Sequence, residues 1–274
     1  MAEMLDSKAL EPCMLAKAKC KPKWLQWEKA IEEELAMLEA AEMWVLKEPP
    51  SRANIISSKW VFKAKKDAAG IIARLKARLV TQGFSQIGGV DYDNTYTPVA
   101  QLASFRAIIA MANRLGLELH QVDIKGAYLN SELNEDEVLY MQFPPSYKPC
   151  DMGNHMLRLK KTLYGRKQSR HCWYQKPSSI FESLGFQKCS VDHAVFHKSD
   201  KDKNEVMVVV VHIDDCTITT SNLHLIEEFK AGLRKHVEVT DLSELHWMLG
   251  IKIKQNWDEG TIHLSQHAYI DLIL

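Results

Sequence analysis

Val208-Val209-Val210-Val211-His212-Ile213-Asp214-Asp215 is the stretch that organises the rest of the chain. With Val206 and Met207 ahead of it, it opens as an apolar, mostly β-branched run that has the length and composition of a buried strand. The run is far too short to cross a membrane. Two adjacent carboxylates follow at once. Like charges at that spacing repel, and burial disfavours the ionised form. A solvated hairpin turn, where Asp is common, is the plain resolution. A divalent cation is the other: Mg²⁺, or Mn²⁺ in its place, prefers hard oxygen ligands and keeps waters or substrate phosphates in its shell.

A second segment favours the cation. Gln121-Val122-Asp123-Ile124 reads as a short strand with a carboxylate near its end. Laid beside the Asp214-Asp215 hairpin, it would assemble three carboxylates from two segments. Such a set holds two metal ions, one activating an attacking hydroxyl and the other stabilising a leaving pyrophosphate. Nucleotide transfer needs in-line placement and charge neutralisation more than covalent chemistry. Asp123 and Asp214 are the preferred ligands. Asp215 is the third member; adjacent strand residues point to opposite faces, which counts against it unless a turn intervenes.

Bulk composition is compatible with this and excludes little. The 274 residues are 46% hydrophobic, enough for one large domain or two smaller ones. Lys plus Arg and Asp plus Glu are equal at 35 each, so partners must be read from local charge. The six cysteines form no C-x-x-C pair and no zinc spacing, and no secretory leader follows Met1. Free thiols in a reducing, intracellular setting are expected, with no membrane partner.

Along the chain, residues 1–23 read as loosely ordered. Trp27, Ile31, Leu35 and Leu38 mark a helix from Trp24 to near Ala41. Trp60-Val61-Phe62 and Ala77-Arg78-Leu79-Val80 are a hairpin pair around Asp67-Ala68-Ala69-Gly70. Leu102, Phe105, Ile109, Ala112 and Leu115 mark a helix that ends before Gly116. Trp173 to Leu184 is helical, bent or delayed by Pro177. A helix over 223–233 is capped by Asn222 or Ser221, and a terminal hairpin turns at Asp258-Glu259-Gly260. Helices and strands mixed without a repeat predict an α+β fold, divided near residue 118.

These motifs, in this order, resemble the Ty1/copia-type retrotransposon reverse transcriptases. "QVDIKGAYLNS" (121–131) is similar to that family's first acidic segment, and "HIDD" (212–215) to its "YVDD" box. "LYGRKQSRHCWY" (163–174) is similar to its "LYGLKQSPRAWY". "KWVFKAKKDAAGIIARLKARLVTQGFSQ" (59–86), "DYDNTYTPVA" (91–100) and "DLSELHWMLGIKI" (241–253) extend the likeness, which runs from about Trp27 to the C-terminus. The resemblance implies a right-hand polymerase fold: fingers mainly in 24–118, palm in 119–254, and in 255–274 a hairpin and the start of a thumb or connection that is truncated or absent. It implies RNA-directed DNA synthesis from deoxynucleoside triphosphates, on an RNA or DNA template with its primer, as part of a longer Pol polyprotein. The compartment implied is a cytoplasmic virus-like particle or the nucleus.

Two basic segments supply candidate contacts. Lys59 to Gln82 holds seven Lys and Arg against Asp67 alone. Lys76 and Arg78, two apart on a strand, share a face and are candidate triphosphate ligands; a solvated basic hairpin is the alternative. Arg158 to Lys176 holds seven basic residues and no acidic one, a charge that backbone phosphates would bind without sequence readout. There Gly165 would admit nucleotide or template close to the main chain, and Lys167 with Gln168 would place the template. By resemblance, Tyr128 lies beneath the incoming sugar and excludes a ribose 2′-hydroxyl; core packing is its alternative. Trp173 is read as core before base-stacking.

The match departs from the family pattern beside functional positions. His212 replaces tyrosine, Arg166 leucine, Arg170 proline, His171 arginine and Ser131 glycine. Family members continue beyond the equivalent of Leu274 into thumb, connection and RNase H. Weak processive synthesis is therefore expected, and a catalytically silent remnant that keeps the fold and nucleic-acid binding stands as the second reading.

Overall fold

The computed structural model describes residues 10–66, 72–86, 97–126, 131, 133, 137–147, 153–166 and 168–273. In chain order the elements are α1 (Leu15–Lys19), α2 (Trp24–Ala40), β1 (Trp44–Lys47), β2 (Ile55–Ile56), β3 (Ser58–Lys66), β4 (Ile72–Thr81), α3 (Leu102–Leu115) and β5 (Glu118–Ile124). There follow β6 (Tyr140–Met141), β7 (Met156–Leu159), α4 (Ser169–Ser183), β8 (Gln187–Lys188), β9 (Val195–Asp200), β10 (Glu205–His212) and β11 (Asp215–Thr220). The last are α5 (Leu223–Arg234), β12 (Val239–Glu244), β13 (Trp247–Met248), β14 (Ile251–Asn256), β15 (Thr261–Ser265) and α6 (His267–Ile273). The mixture is α+β, as the sequence predicts.

The chain folds as two compact units, each discontinuous: Met1–Thr95 with Tyr128–Cys172, and Tyr96–Ala127 with Trp173–Leu274. A single cut near 118 does not describe them, because the chain passes from one to the other three times.

In the first unit, β3 and β4 pair antiparallel from Ser58↔Thr81 to Lys66↔Ile72. Trp60 and Phe62 face their partners Leu79 and Ala77 on one side of this ribbon, all buried. Helix α2 presents Trp27, Ile31 and Leu38 to the same core, and the Trp27 ring meets Phe62 edge-on at 5.1 Å. A second sheet, in the order β1-β7-β6-β2, completes the unit. Residues 10–23 are not loose: Ala18 is buried in this core, and Glu11 pairs with Lys63 at 2.7 Å while accepting from the Ala64 amide.

The second unit is built on a six-stranded sheet in the order β12-β5-β11-β10-β9-β8, antiparallel throughout. The valine run is its centre, buried on both faces. Val208 and Val210 pack with Val195, Ala194 and Ile108, on the side covered by α3. Val209 pairs with Phe196, whose ring joins Phe181 of α4 at 4.9 Å; Phe229 of α5 lies 5.5 Å from Phe181. Each such ring pair adds about 0.5–1.5 kcal/mol to the burial itself. Helix α3 buries Phe105, Ile109 and Ala112 at one-turn spacing. It stops at Gly116, whose φ of 62° lets the Leu117 amide reach back to Ala112.

One other local expectation changes and one is met. Helix α4 begins at Ser169, not Trp173, and carries Pro177 inside it. The missing Pro177 N–H removes one bond of the helical ladder. Asn222 is the cap of α5, its side chain accepting from the His224 amide at 3.0 Å.

Candidate active site

The three sequence-predicted carboxylates come from the central strands of the second unit. Strand β5 pairs with β11 so that Asp123 lies directly opposite Asp215. Strand β10 pairs with β11 so that His212 also lies opposite Asp215. Residues opposite one another in a ladder share a face, so Asp123 and Asp215 project from the same side. Asp214 sits in the two-residue turn with Ile213. Asp214 thus lies in a turn, where strict strand alternation between it and Asp215 does not apply.

The backbone around the turn is held at several points. The Ile124 amide donates to the Asp214 carbonyl at 2.8 Å. The Trp173 indole N–H donates to the Ile213 carbonyl at 2.6 Å. Ile213 itself has φ of 61°, a region β-branched residues rarely occupy. On the shared face, the Gln121 side-chain amide donates to Asp215 Oδ1 at 3.0 Å.

The local field is negative. Burial pushes the Asp215 carboxyl above its ordinary value; the Gln121 hydrogen bond opposes this and the Asp214 charge adds to it. Beneath the turn, the fully buried Cys216 thiol is pushed up by burial and then by Asp215, Asp214 and Asp123 together. Three hard-oxygen donors whose charges oppose one another suit a divalent cation such as Mg²⁺. Among the described residues, however, no three His, Cys, Asp or Glu side chains are drawn together closely enough to grip an ion.

The other predicted contacts belong to the first unit. Lys76 is half-buried. Burial lowers the pKa of its ammonium, as do Arg78, Arg74 and Lys65, against the opposing charge of buried Glu34. Arg78 lies over the Tyr164 ring at 5.0 Å, and its Nε is buried without a hydrogen-bond partner among the described residues.

Gly165 has φ of 89°, and a Cβ there would fall 2.2 Å from the Thr81 carbonyl oxygen. Its close approach is thus to the end of β4. Gln168 is buried, its side-chain carbonyl accepting from Gln86 at 3.2 Å, so any part it has in template placement works through the backbone around it. Arg166 is also buried, 3.6 Å from Glu137. Tyr128 and Lys167 lie outside the described residues.

Sequence reasoning missed Gln121 and Trp173 as supports. Gln121 was legible in principle, since it lies two residues before Asp123 and therefore shares its face. Trp173 had no such local signal.

The reverse transcriptase (RNA-dependent DNA polymerase) family matches residues 41–274. The retrovirus-related Pol polyprotein from transposon TNT 1-94 of Nicotiana tabacum is 34% identical over 271 residues, 99% of this chain and 20% of that protein. The corresponding polyprotein from transposon RE1 of Arabidopsis thaliana is 31% identical, over 89% of this chain and 16% of its own length. The Ty1-ER2 Gag-Pol polyprotein of Saccharomyces cerevisiae is 27% identical, over 73% and 11%. The chain belongs to the reverse transcriptase family, in its Ty1/copia branch, and spans a fifth or less of the length of these relatives. Among the described residues no helix is long and apolar enough to cross a membrane.

Proposed function

We propose that this chain is an RNA-directed DNA polymerase domain, with the second unit as palm and the first as fingers. The observation that carries the reading is the register that sets Asp123 opposite Asp215, with Asp214 in the turn beside them. The reaction joins a primer 3′-hydroxyl to the α-phosphorus of a deoxynucleoside triphosphate and releases pyrophosphate. Asp123, Asp214 and Asp215 would hold the divalent ions. Bound Mg²⁺ would supply hydroxyl activation and charge neutralisation on the phosphates. Gln121, which donates to Asp215 Oδ1, would steady that ligand.

Lys76 and Arg78 are the proposed triphosphate contacts. An anion would offset the burial, and after it the crowding of positive charge, that lower the Lys76 pKa, and would give the buried Arg78 Nε an acceptor. Tyr128 is the proposed sugar gate. Gly165 is the proposed point of close approach for the nucleotide, and Lys167 and Gln168 are the proposed template contacts. The remainder of a Pol polyprotein is the proposed partner chain.

Single-nucleotide primer extension on an RNA template, with Mg²⁺ or Mn²⁺, tests the reading beside Asp214→Asn. Extension by the parent and a loss of about a hundredfold to a thousandfold in the variant is expected, the scale of removing one charge-stabilising group from a reacting centre. A folded parent that binds primer-template without extending it would instead support the silent remnant.

A further inference from the structure

We infer that Trp173 is a positioning residue for Asp214, acting through the hydrogen bond from its indole N–H to the Ile213 carbonyl. The inference rests on the acidic hairpin being the polymerising centre, and adds the device that selects the conformation of its turn.

In a two-residue hairpin the two common forms differ by a flip of the middle peptide. Both central residues have positive φ in type I′, and only the first does in type II′. Here the middle peptide is Ile213–Asp214. Ile213 has φ of 61°, and Asp214 is not among the positive-φ residues, as in the II′ form. The local sequence does not dictate that choice. Asp tolerates the left-handed region, so Asp214 is compatible with either form. The residue that usually secures II′ is glycine at the first position, and a β-branched residue stands there instead.

The carbonyl that reorients in the flip is that of Ile213, and it is this oxygen that receives the Trp173 N–H at 2.6 Å. The indole is 2% exposed, so water does not readily compete for either partner. On the other side of Asp214, the Ile124 amide holds the next carbonyl at 2.8 Å. Both peptide planes flanking Asp214 are thus fixed, one from α4 and one from the strand that carries Asp123. The direction of the Asp214 side chain follows from them.

The test is a double-mutant cycle of Trp173→Phe, which keeps an aromatic ring and removes the donor, with Ile213→Gly, which favours the II′ form without help. Two readouts are used on the full chain: hydrogen exchange of the backbone amides in the 212–216 peptide, and single-nucleotide extension with Mg²⁺ titrated.

Trp173→Phe is expected to speed exchange and slow extension by about twofold to tenfold, the scale of one neutral hydrogen bond, and to raise the Mg²⁺ midpoint. In the Ile213→Gly background the same change is expected to shift both readouts by less than about twofold. A purely packing role for Trp173 would give equal losses in both backgrounds, and that result, or an unchanged Trp173→Phe protein, overturns the inference. A parent that fails to extend counts against the polymerase reading alone; the exchange cycle still decides the role of Trp173.

Discussion

The two charged hairpins of this chain are stabilised in opposite ways. The acidic one, β10–β11, lies inside a six-stranded sheet with strands paired on both sides. Its backbone is held by neighbours, and its charges gather at a two-residue turn. The basic one, β3–β4, is a two-stranded ribbon, and such ribbons are marginal unless they pack against something else. Its support comes from α2 on the apolar face and, at the end of β4, from the loop around Gly165. The Thr81 amide and hydroxyl both donate to the Tyr164 carbonyl, at 2.8 and 3.0 Å. A sheet interior can hold like charges in fixed register, which suits metal ligands. A ribbon packed along one apolar face gathers its long cationic side chains on the other, where Lys63 and Arg74 pair with Glu11 and Glu33.

The largest break in this comparison should come from Gly165→Ala. The new methyl would fall 2.2 Å from the Thr81 carbonyl oxygen and 2.5 Å from Val80 Cγ1, on a backbone at φ of 89°. Gly83 is equally tight from the other side, since its own Cβ would meet the Gly165 carbonyl oxygen at 2.2 Å. Neither contact is with the far end of a flexible side chain, so strain and clash together should cost about 4 kcal/mol or more. Urea unfolding should show this loss, and hydrogen exchange should place it in β3, β4 and the 163–168 segment, with the acidic hairpin protected as before. Equal loosening of both hairpins would mean that the ribbon's anchor is not local.

A smaller effect is expected at the flank of the acidic hairpin's sheet. Strand β12 lies next to β5, with Thr240 opposite Asp123. Asp241 pairs with Lys230 of α5 at 2.8 Å, and that lysine is 2% exposed. Burial alone would raise the Asp241 carboxyl, but the Lys230 pair, the Ser243 amide and Arg234 outweigh it and hold it below its usual value. A folded-state pKa below the unfolded one, about 3.9, gives stability that is present above that value and lost as pH falls through the folded pKa. Asp241→Asn should therefore destabilise at pH 7 by about 1–3 kcal/mol, less than for a fully buried pair because Asp241 is partly exposed. The gap from the parent should close at pH well below the folded-state value. A gap that persists there would assign the loss to something other than the ion pair.

The two hairpins were also unequally legible in the sequence. The valine run and the Asp214-Asp215 pair are a local signal, whereas Asp123, a lone carboxylate near the end of a short strand, is a weak one. The basic ribbon follows from alternation of Trp60 and Phe62 with lysines. What holds each hairpin in place was not legible, because its partners are remote. Thr81 and Tyr164 are 83 positions apart, and Trp173 is 40 from Ile213. The sheet that joins β1 to β7 across more than a hundred residues of chain has no periodic signature, and β12, with its polar sequence, does not read as a strand at all. At Gly165 the sequence shows freedom of approach but not the close packing of the end of β4 against it.

The smallest expected effect is the most informative about why the acidic hairpin is built as it is. Asp215 has its pKa raised by burial and by Asp214. With a folded value above the unfolded one, the folded state holds its proton to higher pH, so this group's contribution declines as pH rises through that value and is unfavourable once both states are ionised. In metal-free buffer at pH 7, Asp215→Asn should therefore be neutral to slightly stabilising, with a rise of up to about 2 °C in Tm. The amide can keep the bond from Gln121 while shedding the repulsion. Adding Mg²⁺ should raise the Tm of the parent and leave the variant nearly unmoved, since ligand binding to the folded state stabilises it by mass action. The order of the two Tm values would then invert with metal. That inversion is what separates a carboxylate kept for a cation from one kept for the fold. If Asp215→Asn is less stable in both buffers, Asp215 serves the hairpin through Gln121 and its place in the ligand set is lost.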